Sequence, residues 1–270
     1  MVKSITGACR VCGLNGTLTL EHILPRAAGG GERTKIYVGD ELIKAATRAK
    51  DSEDEEEKPY GVIQQYGFAN YTLCRACNSH SGKHYDKDFV QLYNAVRHFM
   101  QQHTRSQGIA TIEEQDAFFA DKGMSLKLRN LKPHNIAKRV LVAFCSIEHA
   151  GLTDRKPEIR KAVMQKDYKP ITDSFSIYLT PHIGGSGYFE TIVSFSTEGG
   201  VHAYAGLELG PLAFYLSDHN AHLQGGPLAR CIDITSWLTD YEYGEEAGEL
   251  EIHANFEKSF ALNIPNWAFE

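Results

Sequence analysis

Apolar and polar residues alternate in some parts of the chain and recur at helical spacing in others, so the pattern predicts both strands and helices. Near the N-terminus, the segment GTLTLEHI (16–23) alternates as a half-buried strand does. Residues 74–103 predict a short helix, a break near Gly82 and a longer amphipathic helix. The residues expected on the buried face of the longer helix are Phe89, Leu92, Tyr93, Val96, Phe99 and Met100.

The second half of the chain changes its periodicity. PHNIAKRVLVAFCSIEHAG (133–151) predicts a helix with Pro133 near its start, and KPEIRKAVMQKD (156–167) predicts another. From residue 174 onward, a period of two predicts antiparallel strands, with a hairpin turn at 198–200. The predicted class is therefore α+β, with a module over residues 1–100 followed by an α+β accessory domain of unknown role over 101–270.

Negative charge is concentrated in one short tract. The formal net charge is −6, and the six acids between residues 51 and 57 account for all of it. We expect the surrounding loop, inserted at about residues 40–60, to be a solvated linker, with a DNA-mimicking flap over a site as the alternative. The acidic composition therefore does not argue against a nucleic-acid surface elsewhere in the chain.

Two features bear on the cellular compartment. The chain is 42% apolar, which is enough for a packed core, but no uninterrupted apolar stretch approaches the roughly 20 residues of a membrane span. The first residues, MVKSITGACR, lack the apolar region of a secretory signal. We therefore expect a cytoplasmic protein, and in a reducing compartment close cysteine pairs hold metal more often than they form disulfides.

Four of the six cysteines form two C-x-x-C pairs. These are Cys9, Cys12, Cys74 and Cys77. Two residues between cysteines let both thiolates reach one ion from a tight turn, and two such pairs supply the four ligands of a closed structural Zn²⁺ site. Free core cysteines and a redox dithiol are the alternatives. The remaining Cys145 and Cys231 are expected to be small core residues.

A zinc site of this kind would join two distant segments. One carries Glu21 and His22, and the other carries Asn78 and His84. Oxygen-rich groups suit Mg²⁺ or Mn²⁺ better than a second zinc ion. Phosphodiester hydrolysis needs a base, a divalent cation on the scissile phosphate and a group that balances the developing charge. His22 can be the base because imidazole titrates near neutral pH. A bend at the strand end would be needed for Glu21 and His22 to face one site.

The combination of C-x-x-C, E-H-I-x-P with a glycine pair close behind, and C-x-x-C-N resembles the HNH endonucleases of the ββα-metal fold. The resemblance covers residues 9 to about 90 in two blocks, and its motifs are specific when found together. It implies a β-hairpin and a helix that grip one catalytic metal ion, with cleavage of nucleic acid as the activity. Family members mostly have Asp where this chain has Glu21.

The resemblance also assigns roles to single residues. Glu21 matches the acidic metal ligand, and His22 matches the general base that activates water. Asn78 matches the helix-side ligand of the catalytic Mg²⁺ or Mn²⁺, with His84 as its competitor. Asn70 matches the middle Asn, which holds the His22 segment in place.

Three further residues have two interpretations each. Arg26 and Lys83 flank the expected site, where they could contact nucleic-acid phosphates or could serve only surface solubility. Asp86 could support His84, or it could cap the next helix.

The leading hypothesis is a metal-dependent HNH endonuclease that hydrolyses phosphodiester bonds in nucleic acid, which we expect to be DNA. Stand-alone proteins of that family often act in bacterial restriction or phage defence, and the resemblance implies that setting. The C-terminal region is then expected to select substrate or to bind a protein partner or a second copy. The alternative is a non-catalytic zinc-stabilised module that binds nucleic acid or protein, which would not need His22 or Asn78.

Overall fold

The structure is a computed structural model that combines helices with antiparallel sheets, which confirms the predicted α+β class. It describes residues 5–37, 61–106, 108, 124–148, 151–182, 186–197, 200–218, 228 and 231–254. The acidic tract, for which we predicted a linker or a DNA-mimicking flap, lies outside the described residues.

A three-stranded antiparallel sheet and one helix form the N-terminal part of the fold. The strands are β1 (Thr6–Ala8), β2 (Asn15–His22) and β5 (Ala69–Cys74), in the order β1-β2-β5. Strand β2 is the strand that the alternating segment predicted. Strand β5 pairs with β2 and leads directly into helix α1 (Arg75–His84), so two paired strands and a helix form one unit. Strands β3 (Thr34–Tyr37) and β4 (Gly61–Gln64) form a separate pair.

The predicted break between a short and a longer helix is present, but it lies at Tyr85, three residues beyond Gly82, because α1 continues to His84. A glycine inside a helix costs only about 1 kcal/mol relative to alanine. Tyr85 is fully buried, and its hydroxyl donates to the Val163 carbonyl at 3.1 Å. Burial of this side chain therefore fixes the turn, and helix α2 (Asp86–Ser106) begins immediately after it.

Helix α2 has the amphipathic character that its spacing predicted. Five of the six residues expected on its inner face are buried, and Phe99 is half-buried. The chain then enters β6 (Met124–Leu128), which pairs with the late strand β12 (Leu250–Ala254).

Helix α3 (Pro133–Ile147) is the centre of the molecule. Every one of its residues is buried, including Lys138 and Arg139. It packs against β5 and against α1 and α2 on one side, and against the short helix α5 (Pro157–Met164) on another. Helix α4 (Leu152–Arg155) connects α3 to α5. The sequence predicted α3 and α5, and both are confirmed.

A five-stranded antiparallel sheet completes the fold, with the strand order β11-β7-β10-β9-β8. Its strands are β7 (Ser176–Pro181), β8 (Ser186–Thr197), β9 (Gly200–Leu209), β10 (Leu212–Ser217) and β11 (Ile232–Asp233). The β8–β9 register pairs Thr197 with Gly200, as the predicted hairpin requires. One face carries apolar residues such as Phe214 into the main core, and the other carries the buried Tyr178 and Tyr215.

One hydrophobic core runs through the described residues. It contains Cys9 and Leu73 from the N-terminal strands as well as Phe144 and Phe214 from the second half. The predicted domain boundary at residue 100 falls inside α2. Among the described residues, no helix combines the length and the apolar character that crossing a membrane requires.

Candidate metal centre and active site

The two C-x-x-C pairs meet at one point, as predicted. Cys9 and Cys12 lie in the turn after β1, Cys74 ends β5 and Cys77 lies in the first turn of α1. All four sulfur atoms lie within 4.8 Å of one another, and none is in a disulfide. The four cysteines could therefore bind a metal ion such as zinc.

The sulfur geometry fits a tetrahedral ion. Zinc–sulfur bonds of about 2.3 Å place neighbouring sulfurs about 3.8 Å apart in a tetrahedron. The Sγ atoms of Cys12 and Cys74 are 3.9 Å apart. The hydrogen bond from Cys77, acting against burial, lowers the pKa of the Cys9 thiol to about 4. The cluster thus favours at least one thiolate, the form of cysteine that binds metals.

Two arginines attach the first cysteine turn to the second half of the chain. Arg10 Nη1 donates to the carbonyls of Ser146 and Glu148, at 2.9 and 2.6 Å. Arg160 Nε donates to the Val11 carbonyl at 3.1 Å. The sulfur cluster is therefore held by the end of α3 and by α5 as well as by its own strands.

Asn78, directly after the second cysteine pair, ties α1 to β2. Its Nδ2 donates to Thr19 Oγ1 at 2.9 Å and to the Leu20 carbonyl at 3.0 Å. Both bonds use the amide nitrogen, so Oδ1, the atom that could bind a cation, takes part in neither. The residue thus fixes the helix beside the strand position that precedes Glu21.

Glu21 lies next to a buried arginine that the sequence analysis did not single out. Arg139 of α3 is 1% exposed, and its Nη2 lies 3.0 Å from Glu21 Oε1. The same Nη2 donates to the carbonyls of His22 and Ile23, at 2.7 and 3.0 Å. Arg139 Nε lies 2.6 Å from Asp86 Oδ1. One guanidinium therefore joins the end of β2 to the start of α2.

The Glu21 carboxyl is only partly stabilised as an anion by this arrangement. Burial raises its pKa to about 7, the Arg139 charge opposes that rise, and the Asp86 charge adds to it. Desolvation thus outweighs the single guanidinium.

The His22 ring is oriented by a backbone carbonyl. Its Nδ1 lies 3.2 Å from the Gly30 oxygen. Because a carbonyl can only accept, the hydrogen-bond network assigns the proton to Nδ1 and leaves Nε2 with its lone pair. A Cβ at Gly30 would lie 1.5 Å from the Leu24 carbonyl oxygen, so only glycine fits this approach. The glycine pair therefore sets the tautomer of His22.

Glu21 and His22 both lie near the Arg139–Asp86 pair. The pKa of His22 is lowered, mainly by burial and also by the charges of Arg26 and Arg139. The hydrogen bond to Gly30 and the charge of Asp86 oppose this shift. Arg139 and Asp86 also act on the pKa of Glu21, so both neighbours in sequence are close to the same two charges. β2 ends at His22, and a register shift between Thr19 and Leu20 precedes this end.

His84 lies on a different side of α1 from Asn78. Its Nδ1 is 2.7 Å from the Tyr243 hydroxyl, and its ring is 4.7 Å from the His80 ring. Six residues along a helix correspond to about 600° of rotation, or about 240° around the axis. The structure thus places Asn78 against β2 and His84 against Tyr243.

The other predicted site residues surround this core. Asn70 pairs with Glu21 across the β2–β5 ladder, next to the His22 segment that it was expected to hold in place, and the His22 ring itself contacts the Gly30 carbonyl. Arg26 and Lys83 are exposed on the first turn after β2 and on α1. Arg26 acts electrostatically on His22.

Sequence reasoning missed Arg139 and undervalued Asp86. A signal for Arg139 was present, because it stands between Ile136 and Val140 on the apolar stripe of a predicted helix. A charged side chain at a core position is rare unless it is paired. The carboxylates that pair with it were not predictable from local spacing.

Within the part of the chain that the structure describes, the four cysteines are the only group of three or more His, Cys, Asp or Glu residues close enough to hold one metal ion. A comparison with protein-family models, with curated proteins and with solved structures finds no match. Functional inference therefore depends on the residues and their geometry.

Proposed function

We propose that this protein is a metal-dependent endonuclease of the HNH type that cleaves nucleic acid, with DNA as the expected substrate. The observation that carries the proposal is the β2–β5–α1 unit, in which the cysteine cluster holds Asn78 beside the strand that ends in Glu21 and His22. The Gly30 carbonyl, which lies outside this unit, orients the His22 ring so that Nε2 keeps its lone pair.

The cysteine cluster is proposed to hold one structural Zn²⁺. Four cysteine ligands close the coordination shell, so this ion would have no open position for substrate. Its role is to keep β5 and α1 in register with the first cysteine turn.

The catalytic cation is proposed to be Mg²⁺ or Mn²⁺, held by Glu21 and by Oδ1 of Asn78. Carboxylate and amide oxygens are the donors that these hard cations prefer. When bound, the cation would neutralise charge on the scissile phosphate and on the leaving oxygen. Asn78 offers the required oxygen because its nitrogen is already committed to Leu20.

In the proposed reaction, His22 removes a proton from the attacking water through Nε2. The Gly30 carbonyl accepts a hydrogen bond from Nδ1–H and so holds the ring in the tautomer that can act as a base. Arg139 fixes the backbone on both sides of the base through the carbonyls of His22 and Ile23. Arg26 and Lys83, which are exposed around the site, are proposed to contact phosphates.

The rest of the proposal follows the sequence resemblance. The second half of the chain would select substrate or bind a protein partner or a second copy, and restriction or phage defence is the proposed setting. A second candidate function is a zinc-stabilised binding module without catalysis. The observation that favours it is Arg139, whose guanidinium already lies against Glu21, the carboxylate that a catalytic cation would use.

A plasmid-nicking assay separates the two functions. We expect the wild-type protein to nick supercoiled DNA with Mg²⁺ or Mn²⁺, and we expect His22→Ala to reduce the rate by about 10²–10⁴-fold. The matched control is His98→Ala, at an exposed histidine of α2, which should cleave like the wild type. Undiminished cleavage by His22→Ala would refute the assigned base. Binding of DNA without any cleavage by the wild type would favour the second candidate.

A further inference from the structure

Two acids from distant parts of the chain share a single counter-charge. Glu21 Oε1 and Asp86 Oδ1 both lie against Arg139, one at Nη2 and the other at the adjacent Nε. When both carboxyl groups are ionised, two negative charges beside one guanidinium leave the group with a net charge of −1. Among the described residues, Glu21 and Asp86 form salt bridges only with Arg139.

The hydrogen bonding of this group is incomplete as well. Asp86 Oδ1 and the Nε and Nη1 atoms of Arg139 are buried and have no hydrogen-bond partner among the described residues. Asp86 Oδ1 and Arg139 Nε are therefore close enough for an ion pair but are not aligned for a hydrogen bond. Buried polar atoms in native proteins usually have a hydrogen-bond partner or an ordered water. Of these three atoms only Oδ1 is an acceptor, so the Asp86 carboxylate is the group that could contact a cation, while Nε and Nη1 can only donate.

The second oxygen of Asp86 lies on an open side. The Asp86 side chain is 36% exposed although its Oδ1 is buried, so solvent reaches the carboxylate from the Oδ2 side. A Cβ built at Gly82 would lie 3.6 Å from Oδ2, in ordinary van der Waals contact, so α1 passes close to that oxygen without crowding it. Arg139 occupies Oε1 of Glu21 and Oδ1 of Asp86, and neither Oε2 nor Oδ2 belongs to these ion pairs.

The position of Asp86 is fixed from both sides. Tyr85, the preceding residue, is fully buried and anchored to the Val163 carbonyl. Asp86 is the first residue of α2, so its backbone is set by the helix that follows. Its carboxylate is therefore preorganised beside Glu21 by the fold.

We propose that Asp86 is a second carboxylate ligand of the divalent cation, beside Glu21, with Arg139 as the positioning residue that holds the two acids together. This inference rests on the proposed function and adds a ligand to its site. It also gives a physical reason for the end of α1: the helix stops before Tyr85, so that Asp86 can reach the site.

The test measures Mn²⁺ binding directly, by the loss of the electron paramagnetic resonance signal of free Mn²⁺ on titration with full-length protein. We expect Asp86→Asn and Glu21→Gln each to weaken Mn²⁺ binding by at least about tenfold. The matched control is Asp240→Asn, at an exposed acid, which should bind like the wild type. Asp86→Glu keeps the charge and is expected to bind more tightly than Asp86→Asn.

The outcomes separate the inference from the function on which it rests. Normal Mn²⁺ affinity in Asp86→Asn, together with weak affinity in Glu21→Gln, would overturn the inference and leave the nuclease proposal intact. No Mn²⁺ binding by the wild type would overturn both. If Asp86→Asn loses its circular-dichroism spectrum, Asp86→Glu decides alone, and affinity in that variant no better than in Glu21→Gln would refute the role of the carboxylate.

Discussion

Removal of the proposed zinc ion from the cysteine cluster should destabilise the whole chain. The cluster joins Cys12 to Cys74 across 62 residues, and it also contacts α3 and α5 through the neighbouring Arg10 and Arg160. Without an ion, four thiols would lie within 4.8 Å of one another, and the two turns would be joined only by strand pairing and by hydrogen bonds such as that from the Arg10 amide to the Thr72 carbonyl. The sulfur cross-link would be lost, and the strands beside it would be less constrained.

The size of the effect follows from the length of the closed loop. A cross-link across 62 residues removes about 4 kcal/mol of chain entropy from the unfolded state at 25 °C. For a chain of this size, 1 kcal/mol corresponds to roughly 2–4 °C in melting temperature, so a fall of roughly 8–16 °C is expected. This value counts the closure of one loop only.

The assay combines metal analysis with thermal unfolding in the presence and absence of a strong zinc chelator. We expect one zinc ion per chain, and the fall in melting temperature should accompany its release. Cys77→Ala should show the low melting temperature without chelator, whereas Cys145→Ala, at a buried cysteine of α3 outside the cluster, should still respond to chelator. Purified protein without zinc, or an unchanged melting temperature after zinc release, would refute the cross-link argument.

Three further predictions concern other parts of the fold. Gly30→Ala should destabilise the protein by about 1–3 kcal/mol and abolish nicking while zinc is retained. Gly16→Ala is the control, because a Cβ there meets nothing within 4 Å, and it should change neither stability nor nicking. Nicking by Gly30→Ala at the wild-type rate would contradict the steric argument. Burial lowers the pKa of Lys138 to about 7, so the folded state binds fewer protons than the unfolded state above pH 7, and the free energy of unfolding should rise between pH 7 and about 10. Urea unfolding at pH 7 and pH 9 should show a smaller rise in Lys138→Met, and an equal rise in both proteins would show that this lysine is not the source. Asn78→Ala should weaken Mn²⁺ binding while His84→Ala should not, because the two side chains lie on different sides of α1, and the opposite result would reverse the ligand assignment.

The parts of the fold that local patterns control were predictable. Strand β2, helix α3 and the β8–β9 hairpin each follow from periodicity and turn residues, and the structure confirms them. The meeting of the cysteine pairs was also predictable, since two C-x-x-C turns have few other arrangements that satisfy their sulfurs. The break predicted near Gly82 lies three residues later, because the buried Tyr85 decides where the helix ends.

The parts of the site that depend on distant contacts were not predictable. Arg139 is 117 residues from the His22 carbonyl that it binds, and no local pattern records that distance. The glycine pair was noticed as part of a motif, but its physical role, to bring the Gly30 carbonyl to the His22 ring, depends on the close approach of the Leu24 carbonyl. Motif spacing thus identified the chemical groups, and the tertiary structure identified the groups that orient them.

The buried Arg139 belongs to the second half of the chain but contacts residues of the first half. Removal of one partner from a buried ion pair costs about 3–5 kcal/mol, because a charge is left without compensation. The guanidinium comes from α3, while the carbonyls and carboxylates that surround it come from β2 and the start of α2. A module that ended near residue 100 would leave Glu21 and Asp86 with no counter-charge among these groups. The second half of the chain therefore contributes a group to the site itself, in addition to any role in substrate selection or partner binding.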